Sequence, residues 1–377
     1  MENEKKVGFV FFEQIQHIHH FLGVAYELSK FPNVVVDILT YKNEHFYLKS
    51  LLKLINANRI NLIQLNTRVD RRIIEKIKKR IIPSALFLHK KNKRRLLEYD
   101  ALVFTDYNAD YLMKKRAHRK RPKFIHRFHG SGGHRGHSLQ EKANMFDLLL
   151  ISGQKFYGRL KENNFLKNNQ GKIVGLAKFD ITGIESKDKQ LFNNKNTTFI
   201  YNPHFSKDET SWYIDGQKVL EFFYNHEEYN LIFAPHINLF TVKRTKNTLD
   251  INEKYHNTDN IIIDTDSVNL VNMTYTLNAD AYIGDVSGQL NEFLIKPRPC
   301  IFINSHQVDW KNNENYNQWR AGQVIENTNN FEEVLKKAFE LQPEFEDIQK
   351  EIFADNYYIQ EDKTASLRSA EAIIELL

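Results

Sequence analysis

Short apolar runs of strand length alternate with stretches of helical period along the 377-residue chain, and no other feature restricts the fold as tightly. A run of Val, Ile, Leu and Phe without polar alternation fits a strand covered on both faces. That is the condition of a parallel sheet with crossover helices. Such runs stand at residues 7–12, 34–39, 61–64, 101–105, 124–126, 147–151 and 172–174, and again at 197–201, 230–234, 261–263, 281–283 and 300–303. Helical spacing is present at 20–30, 71–80, 140–146, 211–224 and 290–294, and throughout the tail 331–377. The polar stretch 185–195 separates the two sets of runs. The pattern predicts an α/β protein of two Rossmann-like parallel-sheet domains, 1–185 and 186–358, with a C-terminal helix at 359–377 packing back on the first. Ligands of such sheets sit at the carboxyl ends of the strands, so a cleft between the domains is the expected site.

Composition narrows the class. Glycine (15) and proline (8) are scarce, which argues against collagen-like repeats and Pro-rich linkers. Cys300 is the single cysteine, so no disulfide framework is expected and a reducing cytosol fits. No apolar run reaches the ~18 residues of a membrane span, and the charged opening Met1 to Lys6 precedes no signal core. Residues 1–137 hold 28 Lys and Arg against 12 Asp and Glu, whereas the remainder holds 25 against 35. The basic excess peaks between Arg68 and Arg95, where twelve cations face only Asp70 and Glu75. Such a run is either a solvated face or a surface for an anionic partner.

Several strand ends carry chemistry. A buried-type strand opens at His129 into Gly130-Ser131-Gly132-Gly133. Glycine lets backbone N–H groups approach an anion closely, and a following helix start would add its dipole. His129 itself can take a proton near neutral pH. A second strand ends at Gly284-Asp285 and turns through Ser287, Gly288 and Gln289 into a helix carrying Glu292. Free N–H groups there can hold a diphosphate, with the Ser287 hydroxyl as a further donor and Glu292 accepting from ribose hydroxyls. The plainer alternative makes Asp285 or Ser287 an ordinary N-cap and Glu292 a solvated residue. Two further strands stop at Pro203-His204 and Pro235-His236, each placing an imidazole just beyond a sheet. Together they read as a phosphate-binding wall.

Other features point elsewhere or nowhere. His17, His19 and His20, and separately His126, His134 and His137, lack a carboxylate or thiol at a usual spacing, so no metal and no cofactor is expected. The 17–20 loop follows the first strand and is expected to line the acceptor side. Cys300 reads as a buried strand residue. No Walker A motif occurs and no G-x-G-x-x-G follows the first strand, which disfavours NTPase and Rossmann dehydrogenase chemistry. No nucleic-acid recognition motif accompanies the basic half, so nucleic acid is not an expected partner.

The order of these elements resembles the CDP-glycerol glycerophosphotransferase family, teichoic-acid primases and polymerases of GT-B fold. His129-Gly130-Ser131 is similar to the family's H-G-T/S element. Gly175-Leu176-Ala177-Lys178-Phe179-Asp180 resembles its G-x-P-R-x-D, with Lys178 at the arginine. Tyr201-Asn202-Pro203-His204 resembles Y-A-P-T with histidine for threonine, and Pro235-His236 resembles H-P in reverse order. Residues 279–293 resemble A-D-x-L-I-T-D-Y-S-S-x-x-F-D-F, with Gly288 at the second serine and Glu292 at the last aspartate. Arg298-Pro299 matches a following R-P.

The resemblance implies a GT-B fold and attack of an acceptor hydroxyl on the β-phosphate of CDP-glycerol or a related polyol, releasing CMP. It makes His129 the general base and His236 a second catalytic group. Gly130, Ser131, Lys178, His204, Asp285, Ser287, Gly288, Gln289 and Glu292 would bind the donor. The acceptor would be a lipid-linked or polymeric glycan of cell-surface polysaccharide (teichoic acid or capsule) synthesis. That places the enzyme in the cytoplasm, peripheral on the inner face of the membrane. Arg71, Arg72, Lys78, Lys79, Lys90 and Lys91 would then meet the anionic surface, at about 1 kcal/mol each. Ile73, Ile74, Ile77, Ile81 and Ile82, which alternate with the basic residues, fit either an interfacial helix or an ordinary core face. The departures at His204, Gly288 and Glu292 keep two alternatives open: a GT-B glycosyltransferase or epimerase acting on a UDP- or CMP-linked sugar, and a non-catalytic protein binding polyanions or nucleic acid.

Overall fold

The computed structural model describes residues 4–12, 15–41, 45–67, 84–116, 121–128, 141–186, 188–240 and 251–377. The chain divides into two compact units, Met1–Ile181 with Tyr357–Leu377, and Thr182–Asn356. In the first unit the strands are β1 Lys5–Val10, β2 Val34–Thr40, β3 Ile60–Gln64, β4 Ala101–Phe104, β5 Lys123–Arg127, β6 Leu148–Ile151 and β7 Gly171–Ile173. All pair in parallel, in the order β3-β2-β1-β4-β5-β6-β7. In the second unit β8 Thr197–Asn202, β9 Tyr229–Phe233, β10 Ile261–Ile263, β11 Ala281–Gly284, β12 Cys300–Ile303 and β13 Gln323–Ile325 form a parallel sheet of order β10-β9-β8-β11-β12-β13. Both are doubly wound Rossmann-like sheets, as the alternation predicts.

The apolar runs become strands because helices cover both faces. Val7, Ile38, Val36, Leu102 and Ile125 are fully buried in the first sheet, as are Phe199, Ile232, Ile283 and Ile301 in the second. Each such side chain contributes about 1.5–3 kcal/mol of burial. The structure adds helices that periodicity did not mark, at Phe46–Leu54, Ala85–Leu96, Asp110–Arg116, Gln154–Glu162, Lys178–Ser186 and Thr274–Asn278. It also corrects the tail, which is two helices, Phe331–Asn356 and Ala365–Leu376. Between them the backbone turns aside so that Tyr358 N–H donates to the Ser152 carbonyl at 2.8 Å. Thr364 then caps the last helix, its hydroxyl accepting from Leu367 N–H at 3.1 Å. The expected helix at 71–80 lies outside the described residues.

Helix Ala365–Leu376 lies along helix Ile18–Ser29 within the first unit, and Gly23 permits the approach. A Cβ at Gly23 would stand 2.2 Å from Ser366 Oγ and 3.2 Å from Ser366 Cβ and Ile181 Cγ1. A branched side chain there must push the helices apart. Gly23→Val is expected to lower unfolding stability by about 1–3 kcal/mol, read from chemical denaturation. Stability equal to the parent would mean that this helix pair is loosely packed. Among the described residues, no helix is long and apolar enough to cross a membrane.

Candidate active site

In a doubly wound sheet the strand order reverses at one place, and there the carboxyl ends of two neighbouring strands diverge to leave a crevice. In the second unit that place lies between β8 and β11, paired through Ala281↔Phe199 and Gly284↔Asn202. Asp285 follows β11 directly and is fully buried. Its Oδ1 accepts from His204 N–H at 2.7 Å. Its Oδ2 accepts from Ser211 N–H at 2.6 Å and from Ser211 Oγ at 2.9 Å. The carboxylate thus ties the loop leaving β8 to the end of β11. Burial pushes its pKa up to about 6, against the opposing pull of those hydrogen bonds and of His204. Asp285 therefore fixes the position of His204 and Ser211 at the carboxyl end of the sheet.

The two Pro-His strand ends come together, as the sequence suggests. The β8 and β9 strands are neighbours, and His236 N–H donates to the Pro203 carbonyl at 3.0 Å. The His204 and His236 rings lie 5.7 Å apart, with Phe205 packed against both at 4.3 and 4.5 Å. Nδ1 of His236 accepts from Asn238 N–H at 3.1 Å, so the proton of its neutral ring sits on Nε2. Nδ1 of His204 lies 3.1 Å from both Ser206 N and Glu209 Oε2. Both histidines are partly exposed at the carboxyl edge, the position a phosphate-facing wall requires.

The turn after β11 is more modest than expected. Ser287 is buried and caps helix Gly288–Phe293, its hydroxyl accepting from Gln289 N–H at 3.2 Å. That is the N-cap alternative. Gly288 is exposed, and a Cβ there would meet nothing within 4 Å, so open space faces the helix start. The Gln289 side chain donates to the Leu270 carbonyl at 2.9 Å, and Glu292 is partly exposed one turn on. Arg298 fastens this helix from behind. Its guanidinium donates to the carbonyls of Ala279, Thr276 and Phe293 at 2.5, 2.9 and 2.6 Å and stacks 3.7 Å over the Phe293 ring.

In the first unit the order reverses between β1 and β4, where His17 Nδ1 meets Thr105 Oγ1 at 3.0 Å. Lys178 begins helix Lys178–Ser186 and is 4% exposed. The stretch from Gly175 to Asp180 is pinned at both ends. Gly175, at φ +85°, offers its carbonyl to the fully buried Arg127 at 2.7 Å, and a Cβ there would stand 2.4 Å from the Tyr358 carbonyl. Asp180 accepts from Ser366 N–H at 2.7 Å. Arg127 also donates to the Leu150 carbonyl at 3.1 Å, and burial lowers its pKa to about 10.

Lys90 and Lys91 are exposed on helix Ala85–Leu96. His129, Gly130, Ser131, Arg71, Arg72, Lys78 and Lys79 lie outside the described residues. Sequence reasoning missed Ser211, Thr105 and the anchoring work of Arg298. Ser211 is 74 positions from the carboxylate it binds, so no local signal marks it. Among the described residues no group of three His, Cys, Asp or Glu is placed to hold a metal ion.

A family model described as CDP-Glycerol:Poly(glycerophosphate) glycerophosphotransferase matches residues 75–375. The chain belongs to this family. It is thus a CDP-glycerol glycerophosphotransferase-like transferase of GT-B architecture. Among solved structures, the wall teichoic acid polymerase TagF aligns with a TM-score of 0.63 at 12% identity, covering 99% of this chain and 89% of that one. A UDP-N-acetylglucosamine 2-epimerase aligns with a TM-score of 0.60 at 12% identity, covering 100% and 96%. The Neisseria meningitidis UDP-GlcNAc 2-epimerase bound to UDP-GlcNAc gives 0.58 at 14%, covering 98% and 99%. At these identities the likeness is one of fold. A search of curated proteins found no match. For a glycerophosphotransferase, a pair of imidazoles at the reversal of the second sheet is the feature to explain.

Proposed function

We propose that the enzyme transfers glycerol phosphate, or a similar polyol phosphate, from a CDP-activated donor to a hydroxyl of a lipid-linked or polymeric glycan at the inner face of the membrane. The observation that carries the reading is the His204–Phe205–His236 cluster, held at the β8–β11 reversal by Asp285 in a chain of this family. The acceptor oxygen attacks the β-phosphorus, the bond from phosphorus to the CMP oxygen breaks, and CMP leaves. His129 takes the hydroxyl proton as the new bond forms. His236 donates from Nε2 to the diphosphate, where charge develops. Gly130 and Ser131 contribute on the His129 side. Lys178, Ser287, Gly288 and Gln289 complete the donor pocket, and Glu292 accepts from the ribose hydroxyls.

The test is ligand choice. CDP-glycerol is expected to raise the melting temperature more than UDP-GlcNAc does, since a ligand at 100 times its Kd stabilises by about 2.7 kcal/mol. The reverse order would favour a UDP-sugar enzyme. Glu292→Ala is expected to weaken nucleotide binding about 10-fold in calorimetry, the loss of one charged hydrogen-bonding partner. An unchanged Kd would remove the ribose role. The basic face is tested by sedimentation with anionic vesicles: binding at low salt that is lost at high salt supports a membrane role, and no binding refutes it.

A further inference from the structure

A second concave site lies in the first unit, at the carboxyl end of the edge strand β3. The cavity is about 630 Å³ and is lined by Gln64, Leu65, Asn66 and Thr67 from the strand end, and by Lys91, Asn92, Arg94, Arg95 and Glu98 from helix Ala85–Leu96 and the residues after it. That volume is in the range of small-molecule sites. Its floor is built rather than incidental. Asn92 is 6% exposed, and its amide clasps the backbone of Asn66 both ways, accepting from the N–H at 2.7 Å and donating to the carbonyl at 3.1 Å. A third bond, to the Leu88 carbonyl at 2.9 Å, locks the side chain to its own helix.

The walls are cationic. Lys91, Arg94 and Arg95 are spaced three and four apart, so they share one helix face over this floor. Among the described residues, Glu98 is the only carboxylate lining the cavity. Its nearest approach to Arg94 is 3.8 Å with both side chains largely solvated, a pairing too weak to occupy the guanidinium. Arg95 is better held, its guanidinium 3.4 Å from the Gln64 carbonyl. Gln64 and Asn66 add neutral polar lining beside the cations. Two guanidiniums and an ammonium around a fixed polar floor match singly charged phosphate esters, which take paired N–H donors from arginine.

We propose that this basin is a subsite for a phosphodiester anion of the acceptor, a glycerophosphate chain threading past the edge of the first sheet. The inference rests on the transferase reading for the identity of that anion. It assigns the end of the basic run a specific ligand in place of general attraction.

The test is equilibrium binding of a short soluble glycerophosphate oligomer to the full chain across a NaCl series, beside vesicles of phosphatidylglycerol. The Arg94→Gln/Arg95→Gln variant is expected to bind the oligomer at least 10-fold more weakly. Its plot of log affinity against log salt should flatten by about two, near one for each phosphate left without its arginine. If that variant fails to fold, Arg94→Gln alone should flatten the slope by about one; its side chain is 97% exposed and supports nothing. Loss of vesicle binding with the oligomer unaffected would overturn the chain assignment in favour of a lipid headgroup. Unchanged affinity and slope for both probes would overturn the site. Oligomer binding that depends on these arginines, in a protein that never consumes CDP-glycerol, would keep the site and defeat the transferase reading.

Discussion

Asp285→Ala is expected to collapse the donor side of the enzyme, and to do so with a pH signature. The substitution leaves three buried donors, His204 N–H, Ser211 N–H and the Ser211 hydroxyl, without their acceptor. Each such loss costs about 1–3 kcal/mol. The parent carboxyl opposes this with a cost of its own. Its folded pKa is raised to about 6 from 3.8, so the folded state holds the proton more tightly than the unfolded state. Below pH 3.8 both states are protonated and the group costs nothing. As pH rises from 3.8 to 6 the unfolded state ionises first and parent stability falls, levelling off above 6. The drop from this one group is about 3 kcal/mol. Urea unfolding should therefore show a parent–variant gap that is wide at pH 4 and about 2 kcal/mol narrower at pH 7. A gap independent of pH would mean that Asp285 is not buried as described. Nucleotide affinity should fall more than 10-fold in the variant, because His204 loses its tether.

His129→Ala is expected to have the largest effect on turnover. A positioned general base contributes about 10²–10⁴-fold, and no other group is assigned to receive the acceptor proton. Transfer should fall by that factor while CDP-glycerol binds with nearly the parent affinity, since the proposed role of His129 is at the acceptor oxygen and not at the nucleotide. His236→Ala should fall by about 10²–10³-fold, the usual consequence of removing one donor to developing charge. Full turnover in His129→Ala would remove it from the mechanism.

How much of this was legible depends on whether the signal is local. The alternation of apolar runs announced both sheets, because a strand covered on two faces has no room for polar residues. The β13 strand escaped: Gln323, Val324 and Ile325 are only three residues, all partly buried at a sheet edge. Helix Ala85–Leu96 escaped because its buried face is Leu88, His89, Asn92 and Leu96, half of it polar, inside a run that reads as charge. The tail reads as helical throughout because its apolar spacing continues through Tyr357 and Tyr358, where Tyr358 bonds instead to Ser152 and Arg368. At the site, two apolar strands each stopping at Pro-His foretold that His204 and His236 lie together. The roles of Asp285 and Ser287 were not legible in the same way. Whether a carboxylate faces a ligand or a neighbouring loop is decided by partners far away in sequence, as His204 and Ser211 are from Asp285. Ser211 and Arg298 show this most plainly: folding alone brings Ser211 to the Asp285 carboxylate and Arg298 to the Thr276 and Ala279 carbonyls.

Phosphoryl transfer from a CDP-linked polyol leaves two products in fixed proportion, and both can be followed at once. The full-length protein is incubated with a glycan acceptor and CDP-glycerol labelled in the glycerol. One CMP is expected for each labelled glycerol phosphate joined to the acceptor, with neither product above background in His129→Ala. Intact CDP-glycerol beside conversion of UDP-GlcNAc would contradict the transferase reading.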